Sequence, residues 1–203
     1  MAETRVDLSV AQTNMGDNTA ESGNSAAGQE SYSAFFYGTL MAPEVFFTVC
    51  FRLSNPPAEV RDKYRFRPAV LPGYCRHRVQ HADYPGVVAD AATPGREVRG
   101  AFVDGLTAEN VAKLDYFEGS EYTRRTVRVR LLDVDDGSGG AEVETQTYVY
   151  RFKDNLDDEE WDFDEFRRDK LRQWVREDYV FADCDPDHPA TVATEDGDEA
   201  KQS

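Results

Sequence analysis

Residues 34–47 read AFFYGTLMAPEVFF, and no other stretch restricts the fold as much. It begins as an apolar, aromatic run (SAFFY, 33–37) suited to a central strand, stops at Gly38, and resumes behind Pro43. In EVFFTVCFRL (44–53), Val45 and Val49, and likewise Phe46, Cys50 and Leu53, recur three or four residues apart, the spacing of one helix face. Pro43 suits the first helical turn. A strand that ends in glycine and opens into a helix leaves backbone N–H groups directed at one spot. Such a turn can receive an anion such as a carboxylate, with Gly38 permitting close approach. An ordinary strand-to-helix turn without a ligand fits the same residues.

The remaining chain alternates short strands and helices. RFRPAVLPGYCRHRVQHADYPGVVAD (65–90) is interrupted by Pro or Gly every few residues, the pattern of short strands joined by turns. VRGAFVDGL (98–106) reads as a further strand. TAENVAKLDYFEG (107–119) reads as a short helix with Thr107 as N-cap, Val111 and Leu114 on one face, and Gly119 as its stop. RRTVRVRLLDV (124–134) and ETQTYVYRF (144–152) alternate as strands across DDGSGG, which predicts a hairpin. DFDEFRRDKLRQWVRED (162–178) predicts one helix, with Asp162 and Glu165 as a capping box and Phe166, Leu171, Trp174 and Val175 as its apolar side. Many short strands with few helices give an α+β fold with a small, curved or barrel-like sheet.

At both ends the composition changes. Residues 1–31 are rich in Gly, Ser, Asn, Ala and Gln, and 183–203 are acidic with hardly any large apolar residue, so both read as disordered tails around one domain at 32–182. The net charge of -16 would repel nucleic acid and anionic membranes, which excludes them as expected partners. No apolar run reaches the roughly 18 residues of a membrane span. The N-terminus fits neither a secretory signal nor a transit peptide. Cys50, Cys75 and Cys184 are odd in number and far apart, pointing to a reducing, cytoplasmic setting without a disulfide framework.

Among residues that could carry chemistry, Glu118 stands out. It ends a helix, where the macrodipole opposes its charge, and Leu114, Tyr116 and Phe117 surround it in sequence. Burial and the dipole would both raise its pKa, as an acid/base near neutral pH requires, whereas a helix-end glutamate facing water is the plainer alternative. His77 and His81 have a metal-like spacing, but they sit in a strand pattern with no third ligand. Asp133, Asp135 and Glu144 match three positions of a calcium loop, yet Ser138 stands where glycine is needed. No metal or other cofactor is therefore expected. No serine, threonine or cysteine has a histidine at a recognisable nucleophile spacing.

Together, FFYGTLM, LPGYCRHRV, YPGVVAD, VRGAFVDGL, LDYFEGSEYTRRTV, the Tyr-Val-Tyr strand and EEWDFDEFRR resemble, in order, the AIG2-like branch of the γ-glutamylcyclotransferase superfamily. The resemblance implies an α+β fold, a small mixed or antiparallel β-barrel with a few flanking helices. It implies that Glu118 is the acid/base, and that Tyr37, Gly38, Thr39, Leu40, Met41, Ala42 and Tyr122 bind substrate. The implied reaction is metal-independent: the α-amine of a γ-glutamyl amine or amino acid attacks its own γ-carbonyl and releases 5-oxoproline. A non-catalytic ligand-binding or stress-related regulatory module of the same fold is the alternative. Oligomeric state and the leaving group are not legible.

Overall fold

The computed structural model describes residues 31–132 and 140–176. The expected tails at 1–31 and 183–203, apart from Ser31, and the hairpin turn with Asp133 and Asp135, lie outside the described residues.

Strand β1 (Tyr32–Phe36) starts the domain, followed by a 3-10 turn (Thr39–Met41), helix α1 (Pro43–Phe51) and helix α2 (Ala58–Arg61). Strands β2 (Arg65–Pro72), β3 (Tyr74–Arg78), β4 (Pro85–Ala89) and β5 (Glu97–Leu106) lead to helix α3 (Ala108–Glu118). Strands β6 (Tyr122–Leu131) and β7 (Glu142–Tyr150) and helices α4 (Phe163–Asp169) and α5 (Leu171–Trp174) complete it. Five strands close a barrel in the order β1-β5-β2-β6-β7, and β3 and β4 form a separate two-stranded sheet. All pairs are antiparallel except the closing one, where β1 meets β7 in parallel at Ala34 and Gln146. The α+β barrel with flanking helices is thus as expected.

Strand alternation separates two cores. Phe35, Leu71, Val98, Phe102, Val127 and Val129 belong to one cluster that fills the barrel. Phe36, Val103 and Leu106 face the other way, onto Phe46 of α1, Leu114 of α3 and Trp161. Leu106 keeps the sequence parity of Phe102 but lies on the opposite face. Gly105 between them has φ 90, and a Cβ there would stand 2.0 Å from the Lys63 carbonyl oxygen, so a bulge that only glycine tolerates turns the strand end. Thr107 caps α3 by accepting from the Asn110 N–H at 3.2 Å, while the Asn110 side chain accepts from the Thr107 N–H at 3.0 Å. Lys113 donates to the Cys50 carbonyl at 3.0 Å, tying α3 to the end of α1.

Two element readings change. β2 runs unbroken through Pro68, because pairing with β6 begins only at Ala69 and the missing proline N–H costs no ladder bond there. The helix expected over 162–178 is two short helices divided at Lys170, whose φ of -118 departs from helical geometry. Asp162 is its N-cap, accepting from the Glu165 N–H at 2.8 Å, but the reciprocal half of the expected capping box is replaced by an ion pair of the Glu165 carboxylate with Arg78 at 3.2 Å. No helix among the described residues is long and apolar enough to cross a membrane.

Candidate active site

A cavity of about 160 Å³ lies beside the barrel, where β1 runs into its turn and α3 ends. The turn is tight. Met41 donates to the Gly38 carbonyl at 3.0 Å and Ala42 to that of Thr39 at 3.1 Å. The N–H groups of Gly38, Thr39 and Leu40 precede the first of these bonds and reach no backbone acceptor among the described residues. Gly38 is required by packing: a Cβ would stand 2.9 and 3.0 Å from the Pro85 ring. Behind the turn, Arg76 donates to the Tyr37 carbonyl at 2.9 Å, with its guanidinium 5.5 Å above the ring of buried Trp161. The Tyr37 hydroxyl donates to the Tyr148 carbonyl at 2.6 Å and accepts from the Val87 N–H at 3.3 Å. The turn is therefore fixed from both sides.

Opposite it, α3 delivers Glu118 as its last residue while Leu114, one turn earlier, anchors the helix in the core. Glu118 is half-buried and lines the cavity. Burial, reinforced by the Asp115 carboxylate, pushes its pKa up to about 8. The carbonyl end of α3 acts in the same direction. No Lys, Arg or His among the described residues forms an ion pair with it. Asp115 is itself held, accepting from the Tyr148 hydroxyl at 2.8 Å and pairing with Arg124 Nε at 3.0 Å. A carboxyl whose pKa is raised toward neutral can both take and give a proton.

Buried tyrosines surround it. Tyr122 donates to the Pro85 carbonyl at 3.0 Å, and burial raises its hydroxyl pKa far above the ordinary value, keeping it a neutral donor. Tyr148 is raised in the same way, by burial first and then by Asp115. A second carboxylate, Glu121, accepts from the Tyr84 hydroxyl at 3.0 Å and from that of Tyr150 at 3.3 Å.

Of the residues singled out from the sequence, Tyr37, Gly38, Thr39, Leu40, Glu118 and Tyr122 share the cavity wall. Met41 and Ala42 do not line it; Ala42 is buried in the helix-side core and Met41 packs against that core. Sequence reasoning overlooked Glu121, Tyr84, Tyr148 and Trp174 as wall residues. Glu121 carried a readable signal, three residues after Glu118 in the same FEGSEY segment, whereas Tyr84 and Trp174 reach the cavity only through tertiary packing. His77 contacts Cys75 Sγ at 3.2 Å, and His81 is exposed in the following turn. Among the described residues no group of three or more His, Cys, Asp or Glu could hold a metal ion.

Residues 34–165 match the family model described as gamma-glutamyl cyclotransferase, AIG2-like. AIG2-like protein C of Arabidopsis thaliana is 34% identical over 157 residues, covering 77% of this chain and 78% of the relative. Protein AIG2 B of the same plant is 33% identical over 149 residues, covering 71% and 76%. An Arabidopsis thaliana protein of known solution structure is similar with a TM-score of 0.50 and 30% identity, over 72% of this chain and 78% of its own.

Proposed function

Because this chain belongs to the AIG2-like gamma-glutamyl cyclotransferase family, we propose that it converts a γ-glutamyl amide into 5-oxoproline and a free amine, with Glu118 moving the proton. The observation that carries this reading is the carboxyl of Glu118, unpaired among the described residues and pushed up to about 8, in one cavity with the Gly38 turn. The substrate supplies its own nucleophile. Its α-amine attacks the γ-carbonyl carbon, a five-membered ring closes, and the bond from that carbon to the leaving nitrogen breaks.

The protein's task is to fold the glutamyl chain so that amine and carbonyl meet, an effect worth several kcal/mol. The N–H groups of Gly38, Thr39 and Leu40, which reach no backbone acceptor among the described residues, suit the α-carboxylate or the oxyanion that develops on the γ-carbonyl. Glu118 alone is mostly protonated near neutral pH, but an arriving ammonium favours its carboxylate form. It then takes the ammonium proton and hands it to the departing amine. Tyr122, a neutral donor fixed by Pro85, borders the same space as a substrate contact. No step requires a metal. The catalytic unit is taken as residues 32–182, and a reducing, cytoplasmic setting suits the free thiols of Cys50 and Cys75.

The test is mass-spectrometric detection of 5-oxoproline after wild type and Glu118→Gln are incubated with a panel of γ-glutamyl amines and amino acids. Release by wild type alone is expected. Equal release by both removes Glu118 as the acid/base, and silence from both folded proteins favours the binding-module alternative.

A further inference from the structure

Arg76 lies behind the Gly38 turn and takes no part in the proton transfer proposed for Glu118. It stands on β3, outside the barrel, and its side chain is 11% exposed. Nη1 donates to the Tyr37 carbonyl at 2.9 Å and reaches the Arg99 carbonyl at 3.4 Å, while Nη2 meets Glu160 Oε1 at 3.2 Å. The guanidinium rests on Trp161, whose indole N–H is in turn held by the Asp83 carbonyl at 2.8 Å. A trans peptide sets its carbonyl and its N–H on opposite sides, and no described peptide is cis. With its carbonyl held by Arg76, the Tyr37–Gly38 peptide therefore directs the Gly38 N–H away from Arg76. Gly38 lines the cavity, whereas Arg76 does not. A positive charge on the carbonyl also draws electron density from the N–H, which makes Gly38 a stronger donor.

A turn needs no buried charge to be tied down, since a neutral amide donor would hold the Tyr37 carbonyl at a lower desolvation cost. Here a guanidinium is buried with its Nε reaching no partner among the described residues. Its carboxylate partner, Glu160, is 68% exposed, so water weakens that pairing. Positive charge is thus left at the back of the turn. The cavity side lacks it: Glu118 and Glu121 line the wall, and among the described residues no Lys, Arg or His does. The net charge of -16 further disfavours an anion. We propose that Arg76 is a positioning residue for the α-carboxylate of the glutamyl group, acting through the Tyr37–Gly38 peptide without touching substrate. The proposal rests on the cyclotransferase reading above. It adds the charge that lets backbone N–H groups hold a carboxylate beside two glutamates. That carboxylate is a full charge from the moment of binding, whereas the oxyanion forms only as the ring closes, so the effect of Arg76 falls on binding.

The experiment titrates the full chain calorimetrically with 5-oxoproline and with 2-pyrrolidinone, the same lactam without its carboxylate. Wild type is expected to bind 5-oxoproline roughly tenfold more tightly, and Arg76→Met to bring that ratio within about twofold. Arg76→Lys keeps the charge and is expected to retain part of the preference. Glu160→Gln keeps an acceptor for Nη2 and removes the neutralising charge from an exposed site. It is expected to raise the affinity for 5-oxoproline about twofold and leave 2-pyrrolidinone unchanged. A residue that merely braces the turn would give no such gain, and this variant serves if Arg76→Met does not fold. In turnover of γ-glutamyl amides, Arg76→Met is expected to raise KM while kcat changes less than about threefold. Equal affinity of wild type for the two ligands, equal losses for both in Arg76→Met, or no gain in Glu160→Gln overturns the role of Arg76; release of 5-oxoproline by wild type then still supports cyclotransfer. A preference for 5-oxoproline that depends on Arg76, with no 5-oxoproline released from any amide, keeps that role and overturns cyclotransfer. Neither preference nor release sinks both.

Discussion

The inside of the barrel and the cavity beside it are made by the same strands and have opposite chemistry. Along β7, Val143 and Val149 pack into the barrel, whereas Tyr148 lines the cavity and Tyr150 holds Glu121. Along β6, Val127, Val129 and Leu131 fill the barrel, whereas Tyr122 at the strand's start reaches the cavity. The barrel cluster is mainly aliphatic, and of its members Phe35 and Tyr37, at the end of β1, also line the cavity. The cavity holds polar atoms with fixed partners and, in Glu118, a carboxyl without a partner among the described residues. Alternation along a strand thus separates rigidity from reactivity: one face sets the strand positions, and the other presents groups that need those positions held.

Two substitutions should pull the regions apart most clearly. Glu118→Gln keeps the shape of the cavity wall and removes the proton carrier. Turnover measured as 5-oxoproline should fall on the order of 10²–10⁴-fold while the fold persists by circular dichroism. Leu71→Ala should do the reverse. Leu71 is fully buried in the barrel, so its truncation should cost about 2–5 kcal/mol in denaturant unfolding, with turnover per folded molecule retained. Loss of turnover in Leu71→Ala out of proportion to unfolding would break the proposed separation.

The sequence disclosed these regions unequally. The barrel was legible because alternating β-branched and aromatic residues have a fixed period, and RRTVRVRL against ETQTYVY paired as read. Boundaries blurred where a local signal was overruled. Pro68 did not stop β2, since its carbonyl still accepts from the Leu132 N–H and no ladder bond there needs its missing N–H, and Lys170 divided a helix whose apolar side continued beyond it. Glu118 and the Gly38 turn could be singled out by the motif they share with a family. Tyr84 and Trp174 could not, because they come from segments separated by 90 residues and meet by ring packing once the chain has folded. Periodicity identifies the face a residue occupies, not the neighbour that face will meet.

A smaller effect tests the environment of Glu118 rather than its role. Its carboxyl, ordinarily near 4.5, is pushed up to about 8 by burial, so the folded protein holds that proton more tightly than the unfolded chain. The resulting stability is fully present below the unfolded value and is lost as pH rises through about 8. Relative to Glu118→Gln, wild type should therefore weaken between about pH 5 and about pH 9, on the order of 3 kcal/mol after allowance for solvent reaching the cavity. Unfolding midpoints of the two proteins across that range would measure it. Parallel curves would mean that Glu118 is effectively solvated, and the contrast between barrel and cavity would lose its sharpest member.

Gly38→Ala should have the smallest energetic effect and asks whether the turn is more than a connection. The added methyl would meet the Pro85 ring at 2.9 and 3.0 Å, and that ring is rigid. Relief must come from movement of the turn or of Pro85, whose carbonyl accepts the Tyr122 hydroxyl at 3.0 Å. Either movement disturbs the cavity wall more than the core, so the stability cost should be about 1 kcal/mol while kcat/KM falls roughly tenfold. Pro85→Ala opens the space that the methyl needs. In a double-mutant cycle the pair should therefore lose less activity than the two single losses combined. Full activity in Gly38→Ala would mean that residues 37–42 are an ordinary strand-to-helix turn. The glutamyl group would then have to be held elsewhere on the wall.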